Sequence, residues 1–233
     1  MYNSRNVIAI VVAGGRGKRF SETLPKQFLD IGGKALIEYS LATFNDNPYI
    51  DEIIVVTNPL HTDRTKKICE KFSKISNVIL GGETRSISSR NGVFSVKNTN
   101  SYILIHDSAR PLVSNNLIKR LLDNVEETGA VIPCIPSPDS LIAVENSFGV
   151  QTLDRRNILR VQTPQCFKYE VIYTAYKATE ELPIDYPDDS SIVIQKSLTK
   201  VKVIEGDIHN IKITTKEDAK IFLSLLNSKH NFT

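Results

Sequence analysis

The chain holds 233 residues, 41% of them hydrophobic and 24% charged, which is enough apolar material for a sizeable core and excludes a disordered tail or a disulfide-stapled miniprotein. Its 29 Lys and Arg stand against 26 Asp and Glu, a formal charge of +3, without the basic excess of a dedicated nucleic-acid binder. Cys69, Cys134 and Cys166 form no CxxC pair and read as reduced thiols, and the apolar run at 7–13 is too short to span a bilayer and has no cleavage-site pattern after it.

Short β-branched runs recur along the chain: VIAIVVA at 7–13, EIIVVT at 52–57, VIL at 78–80, YILIHD at 102–107 and AVIPCI at 130–135. Between and after them, apolar residues at three-to-four spacing predict helices at about 34–46, 61–75, 85–97, 114–128 and 168–181. Gly129 stands where the fourth should stop. Strands alternating with helices predict an α/β fold with a mostly parallel twisted sheet flanked by helices. At about 137–160 the rhythm changes. LIAVE and GVQTL surround the turn-like Asn146-Ser147-Phe148-Gly149, which predicts a β-hairpin inserted into the framework. A Pro- and Asp-rich loop at 182–191, a strand at 200–205 and a final amphipathic helix from about Lys216 complete the chain. No repeat or linker divides it, so 1–233 reads as one domain with a protruding arm. With no tryptophan and no aromatic platform for single strands, it reads as a soluble cytoplasmic protein with neither a nucleic-acid nor a membrane partner.

The first strand runs into Gly14-Gly15-Arg16-Gly17-Lys18-Arg19, beyond the carboxyl end of a strand, where open parallel sheets bind ligands. Phe20 stands where a dinucleotide fingerprint needs its third glycine, and no Ser or Thr follows Gly17-Lys18 to complete a P-loop. What remains is a loop whose backbone N–H groups can approach an anion, helped by Arg16, Lys18 and Arg19. A tight turn carrying solvated basic residues is the competing reading. Further on, Pro25 fixes the backbone before Lys26, so that ammonium could be held against a phosphate.

Together these pieces resemble the sugar- and polyol-phosphate nucleotidyltransferases. The sequence Ala13 to Arg19, followed by Pro25-Lys26-Gln27, is similar to the opening signature of the 2-C-methyl-D-erythritol 4-phosphate cytidylyltransferase family and its relative, ribitol-5-phosphate cytidylyltransferase. The likeness continues through Gly81-Gly82-Glu83-Thr84-Arg85, Ser88 and Gly92, then His106-Asp107-Ser108-Ala109-Arg110-Pro111. It extends to Thr152-Leu153-Asp154-Arg155, Gln162-Thr163-Pro164-Gln165 and Asn210-Ile211-Lys212-Ile213-Thr214, covering about 7–222 in the family's order.

The resemblance implies a Rossmann-like nucleotidyltransferase fold and a reaction in which a phosphate-monoester oxygen attacks the α-phosphorus of CTP and pyrophosphate leaves. A phosphate monoester, whose second pKa is about 6, is already largely dianionic at neutral pH, so no general base is required. Charge neutralisation and in-line positioning are required. By resemblance, Arg19 and Lys26 are the catalytic cations, while Arg155, Lys212, Ser140 and Arg110 position the acceptor. Ala13, Gly14, Gly15, Arg16, Gly17, Gly81, Gly82, Glu83, Arg85, Ser88 and Asp107 line the nucleotide. Asp107 could contact a Mg²⁺ carried mainly by the CTP phosphates, contact the ribose, or merely cap the next turn. His106 reads as structural, and a solvated strand lysine is the bland reading of Lys212, which sits between Ile211 and Ile213.

A hairpin that buries little by itself should pack on something, and the resemblance implies that this arm crosses to a second subunit of a homodimer, where residues matching Ser140 and Arg155 complete the partner's site. Two departures touch the acceptor: Asp139-Ser140-Leu141-Ile142 lacks the family's frequent lysine, and Pro187-Asp188-Asp189 replaces the usual Thr-Asp-Asp. The expected reaction therefore makes CDP-methylerythritol for isoprenoid precursors, with a ribitol-5-phosphate enzyme for wall or capsule polymers as the alternative. A non-catalytic nucleotide sensor is the alternative from another class.

Overall fold

The computed structural model describes residues 1–14, 25–179 and 185–230. In chain order its elements are β1 (Asn6–Ala13), a 3-10 turn (Lys26–Phe28), β2 (Asp30–Ile31), β3 (Lys34–Ala35), α1 (Leu36–Asp46), β4 (Glu52–Thr57), a second 3-10 turn (Pro59–His61) and α2 (Thr62–Cys69). Then come β5 (Ile75–Leu80), α3 (Arg85–Phe94), β6 (Ser101–Asp107), α4 (Asn115–Thr128), β7 (Ala130–Pro136), β8 (Leu141–Glu145) and β9 (Phe148–Leu153). The chain continues with β10 (Leu159–Val161), β11 (Gln165–Lys168), α5 (Tyr169–Lys177), α6 (Asp189–Gln195), β12 (Lys202–Glu205) and α7 (Lys216–His230).

Eight strands form one sheet in the order β10-β7-β11-β6-β1-β4-β5, with β12 on β7. Its centre is parallel: β1 lies between β4 and β6. Successive residues of these strands enter opposite cores. Val7, Ala9 and Val11 meet α1 and α4 on one face, while Ile8, Ile10 and Val12 meet α3, α5 and α6 on the other. A strand covered on both faces must be apolar at every position, which explains the unbroken VIAIVVA. Each fully buried Val or Ile there contributes about 1.5–3 kcal/mol relative to exposure.

The helices form where their signals lie. Ser114 accepts the Leu117 N–H to cap α4. Gly129, with φ +74°, closes it by donating to the Val125 carbonyl, a left-handed C-cap that glycine adopts without a Cβ penalty.

The sheet is mostly parallel, as expected, with antiparallel members on one side: β11 inserts between β6 and β7, and β10 runs against β7. Several expectations change. The helices expected at 61–75 and 85–97 are Thr62–Cys69 and Arg85–Phe94, and β5 already begins at Ile75. The stretch read as a loop to 191 already contains the start of α6, capped by the Asp188 side chain, which accepts from Ser191 N–H. The helix expected at 168–181 is Tyr169–Lys177. The run around Lys212 is not a strand: Ile213 N–H goes to the Ala109 carbonyl and Thr214 N–H to the Asp218 side chain, so no ladder forms. The inserted hairpin is present as β8 and β9, which pair only with each other.

Candidate active site

The carboxyl ends of β1, β4, β5 and β6 come level and are stitched together. Val12 pairs with Asp107 and Ala13 with Thr57 in register. Gln27 Nε2 donates to the Ala13 carbonyl at 2.8 Å, Asn58 Nδ2 to the Gly14 carbonyl at 3.3 Å, and Gly81 N–H to the Thr57 carbonyl at 2.7 Å. This is the crevice at the reversal of strand order, where open α/β sheets take their ligands.

Two glycine turns meet across Ser88. A Cβ on Gly14 would stand 2.9 Å from Ser88 Oγ, and one on Gly81 would stand 2.7 Å from it. Ser88 Oγ accepts the Gly82 N–H at 3.1 Å and donates to the Thr84 carbonyl at 2.9 Å. Buried in this way, Ser88 shapes both glycine turns with its hydroxyl already engaged. Glu83 lies exposed on the same turn.

Asp107 ends β6 and is the hub of the crevice. Its Oδ1 accepts from Arg85 Nε at 2.8 Å, and its Oδ2 lies 2.6 Å from Lys212 Nζ. Burial alone would raise this carboxyl, but the adjoining Arg85 and Lys212 charges overcome it and hold the group well below the ordinary aspartate value. Arg85 is likewise pushed by burial towards losing its charge, and Asp107 and Asp189 reverse that, raising it well above the usual guanidinium value. Its second carboxylate contact, Nη2 to Asp189 Oδ2, is 2.8 Å.

Lys212 reaches Asp107 because its neighbours are pinned. Asn210 is buried and donates to the Thr163 carbonyl. Ile213 is buried with Ile31, Leu36, Leu112 and Phe222. Lys26 Nζ donates to the Ile213 carbonyl at 3.3 Å, so the two lysines expected at separate points of the chain meet on the same short loop, Lys26 on the backbone of the residue after Lys212.

The turn under Asp107 depends on neutral His106. Thr163 Oγ1 accepts the Asp107 N–H at 3.0 Å and lies 3.3 Å from His106 Nδ1, while His106 Nε2 is 3.0 Å from the Arg110 carbonyl. A carbonyl can only accept, so the proton sits on Nε2, and Nδ1 accepts from the threonine hydroxyl. Burial pushes this imidazole down to about 4, against opposing contributions from Asp107 and the Arg110 carbonyl.

Other expected site residues lie elsewhere. Arg110 turns its guanidinium to the Asn210 and Val161 carbonyls, bracing the loop that carries Lys212. Arg155 and Ser140 are exposed at the root of the hairpin, and Arg155 Nη1 donates to the Pro138 carbonyl. Gly15, Arg16, Gly17, Lys18 and Arg19 lie outside the described residues. Sequence reasoning missed Asn58, Tyr176 and the buried Asp189; only the Pro-Asp-Asp run signalled the last. Among the described residues no three His, Cys, Asp or Glu side chains form a metal cluster, and no helix is long and apolar enough to cross a membrane.

The family model described as IspD, 2-C-methyl-D-erythritol 4-phosphate cytidylyltransferase, matches residues 7–227. A protein of that description from Thermosipho melanesiensis is 40% identical over 215 residues, 91% of this chain and 93% of the relative. One from Caldanaerobacter subterraneus is 39% identical over 226 residues, 94% of this chain and 99% of the relative. The crystal structure of 4-diphosphocytidyl-2C-methyl-D-erythritol synthase from Anaerococcus prevotii superposes with a TM-score of 0.84 at 30% identity, covering 96% of each chain.

Proposed function

The chain belongs to the IspD family, the 2-C-methyl-D-erythritol 4-phosphate cytidylyltransferases of isoprenoid precursor synthesis, and from that premise we propose how its own residues carry the transfer of CMP from CTP. The observation that carries this reading is Lys212 Nζ at 2.6 Å from Asp107 Oδ2 with Lys26 Nζ on the carbonyl of the adjoining Ile213, at the carboxyl edge of the sheet.

In this reading the acceptor's phosphate dianion attacks the α-phosphorus of CTP, one new P–O bond forms, and the bond to pyrophosphate breaks. Lys26 offsets charge building at the α-phosphate, together with Arg19 from the glycine loop. The Gly14 and Gly81-Gly82 turns, having no side chain, let the backbone approach the nucleotide closely. Lys212 holds the acceptor phosphate in line. Losing a preorganised donor at such a centre typically lowers turnover on the order of 10²–10³.

A divalent cation, Mg²⁺ in this proposal, would be held by the nucleotide phosphates with Asp107 as the protein's carboxylate. One carboxylate with substrate phosphates is a donor set that suits this ion. It would supply neutralisation of the triphosphate charge. Occupation by the cation requires Asp107 to share an oxygen now held by Lys212 or Arg85.

The arm supports a homodimer. Ile142, Val144, Phe148 and Val150 on β8 and β9 are 58, 58, 75 and 53% exposed, and an isolated hairpin is marginal in water. Docked on a second copy, it would bring Ser140 and Arg155 to that copy's acceptor site. The three buried, unpaired cysteines suit the reducing cytoplasm, and a single domain with an arm accounts for the chain.

Pyrophosphate release from CTP with 2-C-methyl-D-erythritol 4-phosphate, compared with ribitol 5-phosphate, tests the acceptor; activity with the ribitol ester alone refutes it. Lys26→Ala should abolish most turnover, and unchanged kcat there removes its catalytic role.

A further inference from the structure

Beneath Asp107 lies a second carboxylate that the reaction as described does not use. Asp189, at the start of α6, is fully buried. Its Oδ1 accepts from the buried Tyr176 hydroxyl at 2.5 Å, and its Oδ2 from Arg85 Nη2 at 2.8 Å. Arg85 Nε holds Asp107 Oδ1 at 2.8 Å, and Asp107 Oδ2 meets Lys212 Nζ at 2.6 Å. The chain Tyr176, Asp189, Arg85, Asp107, Lys212 thus alternates in charge from the buried core to a lysine that is 38% exposed.

An arginine facing one carboxylate favours a two-point fork in which both oxygens are taken. Here the guanidinium is divided between two carboxylates, so Asp107 gives it a single oxygen and presents the other to Lys212. We propose that Asp189, held by Tyr176, is a positioning residue that keeps Arg85 from claiming both oxygens of Asp107 and thereby sets Lys212 for the acceptor phosphate. This rests on the reading of Lys212 as an acceptor-phosphate group. Without Asp189, Arg85 turns wholly to Asp107, the Oδ2 anchor is withdrawn from Lys212, and the ammonium is no longer held in place. Tyr186 keeps the segment leading into α6 on α3, with its carbonyl and N–H both on Ser86 Oγ at 3.0 and 3.1 Å, so the Asp189 end of this chain is set by packing that is independent of substrate.

A double-mutant cycle on kcat/KM for the acceptor tests the proposal. Asp189→Asn should lower it by about 10- to 100-fold, the range usual for partners that orient a site residue. Combined with Lys212→Gln, it should add little to the loss from Lys212→Gln alone. Tyr176→Phe, which removes only the hydroxyl, should show the same non-additivity at smaller size, and decides the matter if Asp189→Asn does not fold. Losses that simply add in the double variants, or a folded Asp189→Asn enzyme with unchanged kcat/KM, overturn the proposal while leaving Lys212's role intact. A Lys212→Gln enzyme with unchanged acceptor kinetics would instead overturn the role of Lys212 and this inference with it.

Discussion

His106 offers a pH-dependent stability that can be worked out in advance. In the unfolded chain an imidazole titrates at its ordinary 6.5, and in the fold burial lowers it to about 4. Between those values the unfolded chain binds the extra proton and the native state does not, so acid favours unfolding. The contribution is fully present above the unfolded value and is lost as pH falls towards the folded one. At about 1.4 kcal/mol per unit, going from about pH 7.5 to about pH 4.5 should remove about 2.5 kcal/mol through this residue. The side chain is wholly buried, so solvent screening does not dilute that figure. The hydrogen bonds agree in sign, since a proton on Nδ1 would oppose the Thr163 hydroxyl that donates to it. Urea unfolding of the wild-type protein and of His106→Gln at both pH values isolates this contribution, because the carboxylates common to both proteins largely cancel in the difference. The His106→Gln protein should lose less stability on acidification by about that amount. Equal losses in the two proteins would mean that the imidazole is charged or hydrated in the fold, and would refute the reasoning.

Gly82→Ala should raise the KM for CTP more than Gly81→Ala does. Its Cβ would fall 2.0 Å from Ile87 Cγ2 and 2.7 Å from Ile87 Cβ, the rooted part of a side chain, whereas that of Gly81 comes within 3 Å of Ser88 Oγ alone, an atom that can turn away at the loss of its Gly82 and Thr84 hydrogen bonds; equal effects on steady-state KM would contradict this. Phe148→Asp should shift the protein to monomer in sedimentation velocity and lower activity at dilute enzyme, while an unchanged sedimentation coefficient argues against docking by the arm. Ser114→Ala, which removes the cap on Leu117 N–H, should lower stability by about 1 kcal/mol in denaturant titration without touching kinetics.

Much of the frame was legible because its signals are local. A strand buried on both faces must be apolar throughout, so β1, β4 and β6 announce themselves, and the β8 and β9 hairpin is marked by its turn residues. The glycine turns and Lys26 stand out because glycine permits close backbone approach and proline stiffens the adjoining backbone. By contrast, β10 has three residues and β11 four, too few for a periodic pattern, and both are strands only because β7 and β6 offer them ladder partners. The start of α6 carried a legible cap in Asp188, masked by the Pro- and Asp-rich composition around it.

What the sequence by itself determined was an α/β sheet, the family it resembles and a set of candidate site residues, since residue type and spacing encode burial and charge directly. Only the tertiary structure decided which charges meet. Arg85 and Asp189 are 104 residues apart, and Lys212 finds Asp107 through a loop pinned by Asn210 and Ile213 rather than through a strand. No local pattern carries such pairings, because an ion pair depends on distances that exist only once the sheet and its helices have packed.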